Sequence, residues 1–163
     1  MKFVLGGLSG LAVLAAGCST TGGLEVGSFW GPAAKLSGAS STYDWEEREG
    51  SKGFENPEVN NALRASIDQH MAAKGFRRET KARPDLWVRY RGGKYIQQAE
   101  SGFQSWDEGA LGVEILDPGS GGLIWRGTAK TRIDYSVSPD KLRKRIDQIV
   151  QRILSNFTPG SPK

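Results

Sequence analysis

The sequence predicts an α+β domain: a two-layer sandwich of a roughly four-stranded mixed sheet with two helices on one face, preceded by a signal peptide and a flexible tether. Three observations predict it. Two segments carry a single apolar stripe at helical spacing, each opened by a residue–proline pair. Three later segments alternate apolar and polar residues with period two, as half-buried strands do. A turn-rich run, Asp117-Pro118-Gly119-Ser120-Gly121-Gly122, joins the last two of these segments as a hairpin.

Each element has its own justification. Tyr43 and Trp45 alternate with polar neighbours in Thr42-Tyr43-Asp44-Trp45, a short first strand. Asn56-Pro57 is a helix start: the Asn side chain accepts from free backbone N–H groups, and proline has no N–H to leave unsatisfied. Val59, Leu63, Ile67 and Met71 then recur every four residues, until Gly75 ends the helix in a left-handed cap with Phe76 folding back. Leu86, Val88 and Tyr90 share one face of the next strand, while Trp87, Arg89 and Arg91 share the other. Leu111, Val113 and Ile115 alternate with Gly112 and Glu114. In the run from Leu123 to Ile133, Leu123, Trp125, Gly127, Ala129 and Ile133 face one way. Ile124, Arg126, Thr128, Lys130 and Arg132 face the other, and Gly127 and Ala129 are placed for close helix approach. Ser138-Pro139 repeats the Asn-Pro device and opens a helix striped with Leu142, Ile146, Ile149, Val150 and Ile153, which stops near Phe157 before Pro159. The first strand–helix–strand unit places its strands parallel, and the later hairpin is antiparallel.

The N-terminus carries a different signal. Lys2 is followed by an apolar or small run, Phe3 to Ala16, too short to span a bilayer, which takes about 20 apolar residues. The run ends Leu14-Ala15-Ala16-Gly17-Cys18, and Cys18 is the only cysteine. This layout resembles a bacterial lipoprotein signal, cleaved before Cys18 with lipid attached to the new terminus. The resemblance implies an anchor of acyl chains on Cys18. Ser19 in place of aspartate resembles a Gram-negative outer-membrane address, so the expected location is the periplasmic side of the outer membrane. The expected divisions are a signal peptide over 1–17, a lipidated tether over 18–41, the folded domain over 42–158 and a C-terminal tail over 159–163. The tether is rich in Gly, Ser, Thr and Ala. Phe29-Trp30 interrupts it and either docks on the domain or sits at the membrane interface.

Composition narrows the function classes. Of 22 basic and 18 acidic side chains only Lys2 precedes Cys18, so the mature chain keeps a small basic surplus that does not argue for a nucleic-acid partner. A single cysteine excludes a disulfide framework and a thiolate metal site. His70 is the sole histidine, with no nucleophile motif beside it, and reads as a structural or surface residue. The acidic run Asp44, Glu46, Glu47 and Glu49 reads as a solvated loop. No set of residues supplies nucleophile, base and oxyanion donor together, so neither an enzyme nor a cofactor is expected. The sharpest surface feature is the polar sheet face carrying Trp87, Arg89, Arg91, Arg126, Lys130 and Arg132, with Glu114 as the main counter-charge. It is read either as a docking face for anionic lipid or an acidic envelope protein, or as a solvated face whose arginines lie over Trp87.

Several of these segments together resemble the DUF4136 family of bacterial lipoproteins. The residues that carry the likeness are Tyr43-Asp44-Trp45, Asn56-Pro57, Ala73-Lys74-Gly75-Phe76, Pro84-Asp85-Leu86-Trp87-Val88, and the hairpin from Gly109 to Asp117 and Gly122 to Ala129. The likeness covers roughly residues 42–158. It implies location and architecture rather than a mechanism. The expected role is that of a non-catalytic, lipid-anchored periplasmic protein acting in envelope structure or assembly. The alternative is a carrier or sensor of a small amphipathic or lipid-like ligand held between sheet and helices.

Overall fold

The computed structural model describes residues 23–33, 40–47, 54–98, 105–132 and 137–158, and for 94–98, 105–108 and 132 the backbone alone. The expected signal peptide, Cys18 and the tail over 159–163 lie outside the described residues. Along the chain run β1 (Glu25–Trp30), β2 (Thr42–Trp45), α1 (Pro57–Ala73), β3 (Arg77–Arg78), β4 (Leu86–Gln98), β5 (Ser105–Leu116), β6 (Leu123–Arg132) and α2 (Pro139–Ser155). The strands form one mixed sheet in the order β1-β6-β5-β4-β2-β3. As expected, β2 and β4 pair parallel and β5 and β6 antiparallel.

The sheet has six strands rather than about four. One addition, β3, is two residues long and too short to show a pattern. The other, β1, falls inside the segment 18–41 expected to be a tether, and pairs antiparallel with β6 over six residues. Its sequence, Glu25-Val26-Gly27-Ser28-Phe29-Trp30, holds Gly and Ser where a strand pattern needs bulk. The pairing therefore comes from the distant β6, not from local propensity. β4 also runs on to Gln98, through Gly92-Gly93, and β5 begins at Ser105.

Helix α1 starts and stops on the expected devices. The Asn56 side chain accepts from the backbone N–H groups of Glu58 and Val59, and Pro57 occupies the first turn. Gly75 has φ +87°, a conformation glycine adopts without a Cβ clash, and Phe76 N–H donates back to the Met71 carbonyl at 3.1 Å. In α2 only the proline behaves as expected. Ser138 makes no side-chain cap bond, so the hydroxyl does not act as Asn56 does.

The core lies between the helices and one sheet face. Trp30, Trp125, Ile115, Val88 and Trp45 form one row across neighbouring strands, set by the register Trp30↔Trp125↔Ile115↔Val88↔Trp45. Ile67, Met71, Val150, Ile153 and Phe157 come down on this face with no exposed surface. Each buried aliphatic side chain contributes on the order of 1.5–3 kcal/mol. Phe157 is the hub of an aromatic cluster, with ring centroids 5.2 Å from Trp125, 5.8 Å from Phe76 and 5.9 Å from Trp30. A Cβ on Gly127 would lie 2.5 Å from the Ile153 Cγ2, so glycine is what lets α2 approach β6. Ile124, expected among the outward residues, is buried at 3% exposure. The chain leaving β1 continues beside it, with Gly31 and Ala33 donating to the Ile124 and Leu123 carbonyls, and Ala33 packs on the same cluster.

Candidate functional site: the outer sheet face

Cross-strand pairing in the sheet decides which outward side chains meet. Phe29, Arg126, Glu114 and Arg89 are successive partners across β1, β6, β5 and β4. Directly paired residues point to the same face with close Cβ atoms. The two arginines therefore flank the one carboxylate. Arg126 donates to Glu114 Oε1 through Nε at 2.7 Å and Nη2 at 2.6 Å. Arg89 Nε donates to Glu114 Oε2, and its Nη1 donates to Glu46 Oε2 at 2.9 Å. Arg91 Nε lies 3.7 Å from Glu114 Oε2. The result is a row of alternating sign, Arg126–Glu114–Arg89–Glu46.

The electrostatics follow from that packing. Burial pushes the Glu114 carboxyl up, but hydrogen bonds and charges from Arg89 and Arg126 outweigh it and hold the group below its ordinary value. Desolvation works against the Arg89 charge, and its bonds to Glu114 and Glu46 overcome that. Of the expected docking residues, Arg89, Arg91 and Arg126 are thus brought together around one carboxylate. Trp87 is half-buried on the same face, in register with Asp44 and Leu116. Lys130 is exposed and stands opposite Glu25, making no ion pair among the described residues. Arg132 stands opposite Glu108 in the backbone register, and its side chain is not among those described.

The acidic run is also committed to partners. Asp44 pairs with Arg78 at 2.9 Å, Glu46 with Arg89 at 2.9 Å, and Glu47 with Arg64 at 3.0 Å. Arg64 also lies 4.9 Å above the Trp45 ring. Glu49 is outside the described residues. Among those described, no three His, Cys, Asp or Glu side chains group as metal ligands would.

Sequence reasoning overlooked two polar clusters because each depends on tertiary contact. Ser66 Oγ donates to Asp147 Oδ1 at 2.8 Å, and His70 Nε2 lies 2.9 Å from the same oxygen. Nucleophilic catalysis needs the histidine between hydroxyl and carboxylate. Here serine and histidine both address one carboxylate oxygen, an arrangement that ties α1 to α2. Asp147 is held below its ordinary value, first by the Ser66 bond. In the second cluster, Tyr43 Oη and Trp45 Nε1 both donate to Asp68 Oδ1, at 2.6 and 3.1 Å. Burial and the Asp68 bond push the Tyr43 hydroxyl well above its ordinary value, keeping it a donor. The Tyr-Asp-Trp motif thus pins β2 to α1 with its inward residues and reaches Arg78 with Asp44.

No curated protein matches the chain. Among solved structures, a PelC variant dodecamer from Paraburkholderia phytofirmans is similar at TM-score 0.56 and 14% identity, over 85% of this chain and 99% of that one. A PelC dodecamer in another crystal form matches at TM-score 0.53 and 15% identity, over 81% and 96%. A PDZ domain protein from Parabacteroides distasonis matches at TM-score 0.57 and 12% identity, over 88% of this chain but 38% of that one. At these identities the likeness is one of fold. The family model described as a domain of unknown function, DUF4136, matches residues 32–159, most of the chain, and the chain belongs to that family.

Proposed function

We propose that the protein is a non-catalytic lipoprotein of the cell envelope, anchored in the outer membrane through acyl chains on Cys18 and facing the periplasm, where it serves structure or assembly by contacting other proteins. The observation that carries this reading is the edge strand β1. It starts seven residues after Cys18, a length of chain that reaches at most about 25 Å. A chain lipidated at Cys18 therefore enters the sheet close to the bilayer.

The two sheet edges differ in how they meet solvent. β3 is two residues of arginine, short and charged, as protected edges usually are. β1 offers six residues, with β6 on one side and no described strand on the other. Phe29, at 58% exposure, is the one exposed large hydrophobic among the described residues. An open edge beside an exposed aromatic fits strand addition by a second copy of the chain. The dodecamers that share this fold support that choice of partner. The polar clusters support the non-catalytic part, since Ser66, His70 and Asp147 join helices and the arginines of the outer face are held by carboxylates.

One experiment addresses anchor and contact together: a photoreactive residue at Phe29 in cells, in the parent chain and in Cys18→Ala. The parent should fractionate with membranes and give an adduct of two copies. Cys18→Ala should appear in the soluble periplasmic fraction or as unprocessed precursor. A Cys18→Ala chain still tightly membrane-bound at mature size sinks the anchor. Failure to form a self-adduct in the parent sinks the β1 contact.

A further inference from the structure

We infer that the groove between α2 and the start of β1 binds the phosphate headgroup of an anionic phospholipid in the membrane that holds the N-terminal lipid. This rests on the Cys18 anchor proposed above. The groove has a volume of ≈ 690 Å³. Its walls combine an apolar floor, Leu24 and Ile149, with four cations, Lys141, Lys144, Arg145 and Arg152, and none of the described residues that line it is a carboxylate.

The arrangement follows from helical spacing. Positions 141, 144, 145, 148 and 152 fall on one flank of α2, since residues three and four apart are neighbours on a helix. The opposite flank is paired off: Arg143 bonds Asp140 and Glu58, and Asp147 bonds Ser66 and His70. On the groove flank, Arg145 reaches Thr131 Oγ1 at 2.9 Å. Lys141, Lys144 and Arg152 make no ion pair among the described residues. Like charges stacked at this spacing repel, and a bound anion removes the repulsion.

Two arguments select a membrane lipid over a soluble anion. Leu24 is part of the wall, and it lies six residues after Cys18, within about 22 Å of chain. An acylated Cys18 therefore keeps this face of the domain within headgroup range. The apolar floor beside the cations also suits an amphipathic ligand better than a bare anion. By contrast, the outer sheet face, read from the sequence either as a docking face for anionic lipid or an acidic protein or as a solvated face, has three of its arginines gathered on Glu114.

The test uses the lipidated mature chain in vesicles, with a photoreactive residue at Gln148. Vesicles of phosphatidylcholine with phosphatidylglycerol are compared with phosphatidylcholine alone. The variant carries Lys141→Gln, Lys144→Gln and Arg152→Gln, all surface changes. Each cation near an anionic surface contributes roughly fivefold in binding, so lipid capture by the variant should fall on the order of 100-fold. Equal capture from both vesicle types, or undiminished capture by the variant, overturns the inference. So does displacement by inorganic phosphate, which would assign the groove to a soluble anion. A failed anchor shows instead as a chain that does not float with the vesicles. The Cys18→Ala chain with added anionic vesicles reads the groove in that case, and no lipid adduct there overturns it as well.

Discussion

Glu114 lies on the outward face of the sheet, yet its side chain is only 3% exposed, because arginines from three neighbouring positions close over it. A buried carboxylate flanked by two hydrogen-bonded guanidiniums adds little net stability over an apolar alternative, but removing it strands the positive charges. Breaking a fully buried pair costs about 3–5 kcal/mol. Here Arg89 would keep Glu46 and Arg126 is nearly half exposed, so Glu114→Ala should cost less, about 2 kcal/mol by denaturant titration. Asp44→Ala, which removes a single pair from a carboxylate that is 21% exposed against 3% for Glu114, should cost under about 1 kcal/mol. Equal losses in the two variants would mean that the Glu114 cluster is no more coupled than an ordinary surface pair. Alternation in the sequence already placed Arg89, Arg126 and Glu114 on one face. It could not supply the register that makes them partners.

α2 depends on one missing side chain opposite it. Gly127 sits mid-strand, where glycine ordinarily weakens a sheet, and a Cβ there would come within 2.3 Å of Trp125 Cη2 and 2.5 Å of Ile153 Cγ2. Gly127→Ala sets two effects against each other. The unfolded chain loses freedom, which favours folding by about 0.4–1 kcal/mol, while overpacking costs about 1–3 kcal/mol. Trp125 and Ile153 have no exposed surface and no room to give, so the overpacking wins and the urea midpoint should fall. In the double variant with Ile153→Ala, the loss should be smaller than the sum of the two single losses, because one of the two clashing groups is gone and the space it leaves lets the Trp125 ring shift. Strict additivity would place the clash elsewhere. The Gly127 approach was legible because a small residue interrupts an apolar face opposite a helical stripe. β1 was not legible, because Gly27 and Ser28 carry no alternation and its partner β6 lies about a hundred residues away. The groove beside α2 was hidden for the same reason: Leu24 joins Lys141 and Lys144 only once β1 is in the sheet.

At the scale of the whole molecule, the sequence foretold the two-layer plan through its helix starts, stripes and hairpin, each a local device. Contacts between elements were not written locally, and three carboxylates lie at them. Asp68 holds β2 to α1, Asp147 holds α1 to α2, and Asp85 ties the start of β4 to β2 by accepting from Ser41 and Thr42. These contacts give the fold a pH window. Glu114, Asp85 and Asp147 are all held below their ordinary values, the last two chiefly by hydrogen bonds and Glu114 by its arginines against burial. A lowered folded value means that the unfolded chain takes up protons first. The stabilisation is therefore complete above the unfolded carboxylate range, about 4, and is lost as pH falls through the folded values. Tyr43 sets the other limit. Its value is raised from 10.0, so its contribution is present below that pH and is lost above it as the hydroxyl ionises. Thermal melts should accordingly change little between about pH 5 and 9 on these groups' account and fall on both sides. Glu114→Gln should flatten the acid limb, since the glutamine does not titrate, and Tyr43→Phe should flatten the alkaline one. An acid limb unchanged by Glu114→Gln would mean that the outer-face cluster contributes no pH-dependent stability, and that the carboxylates joining the elements account for it alone.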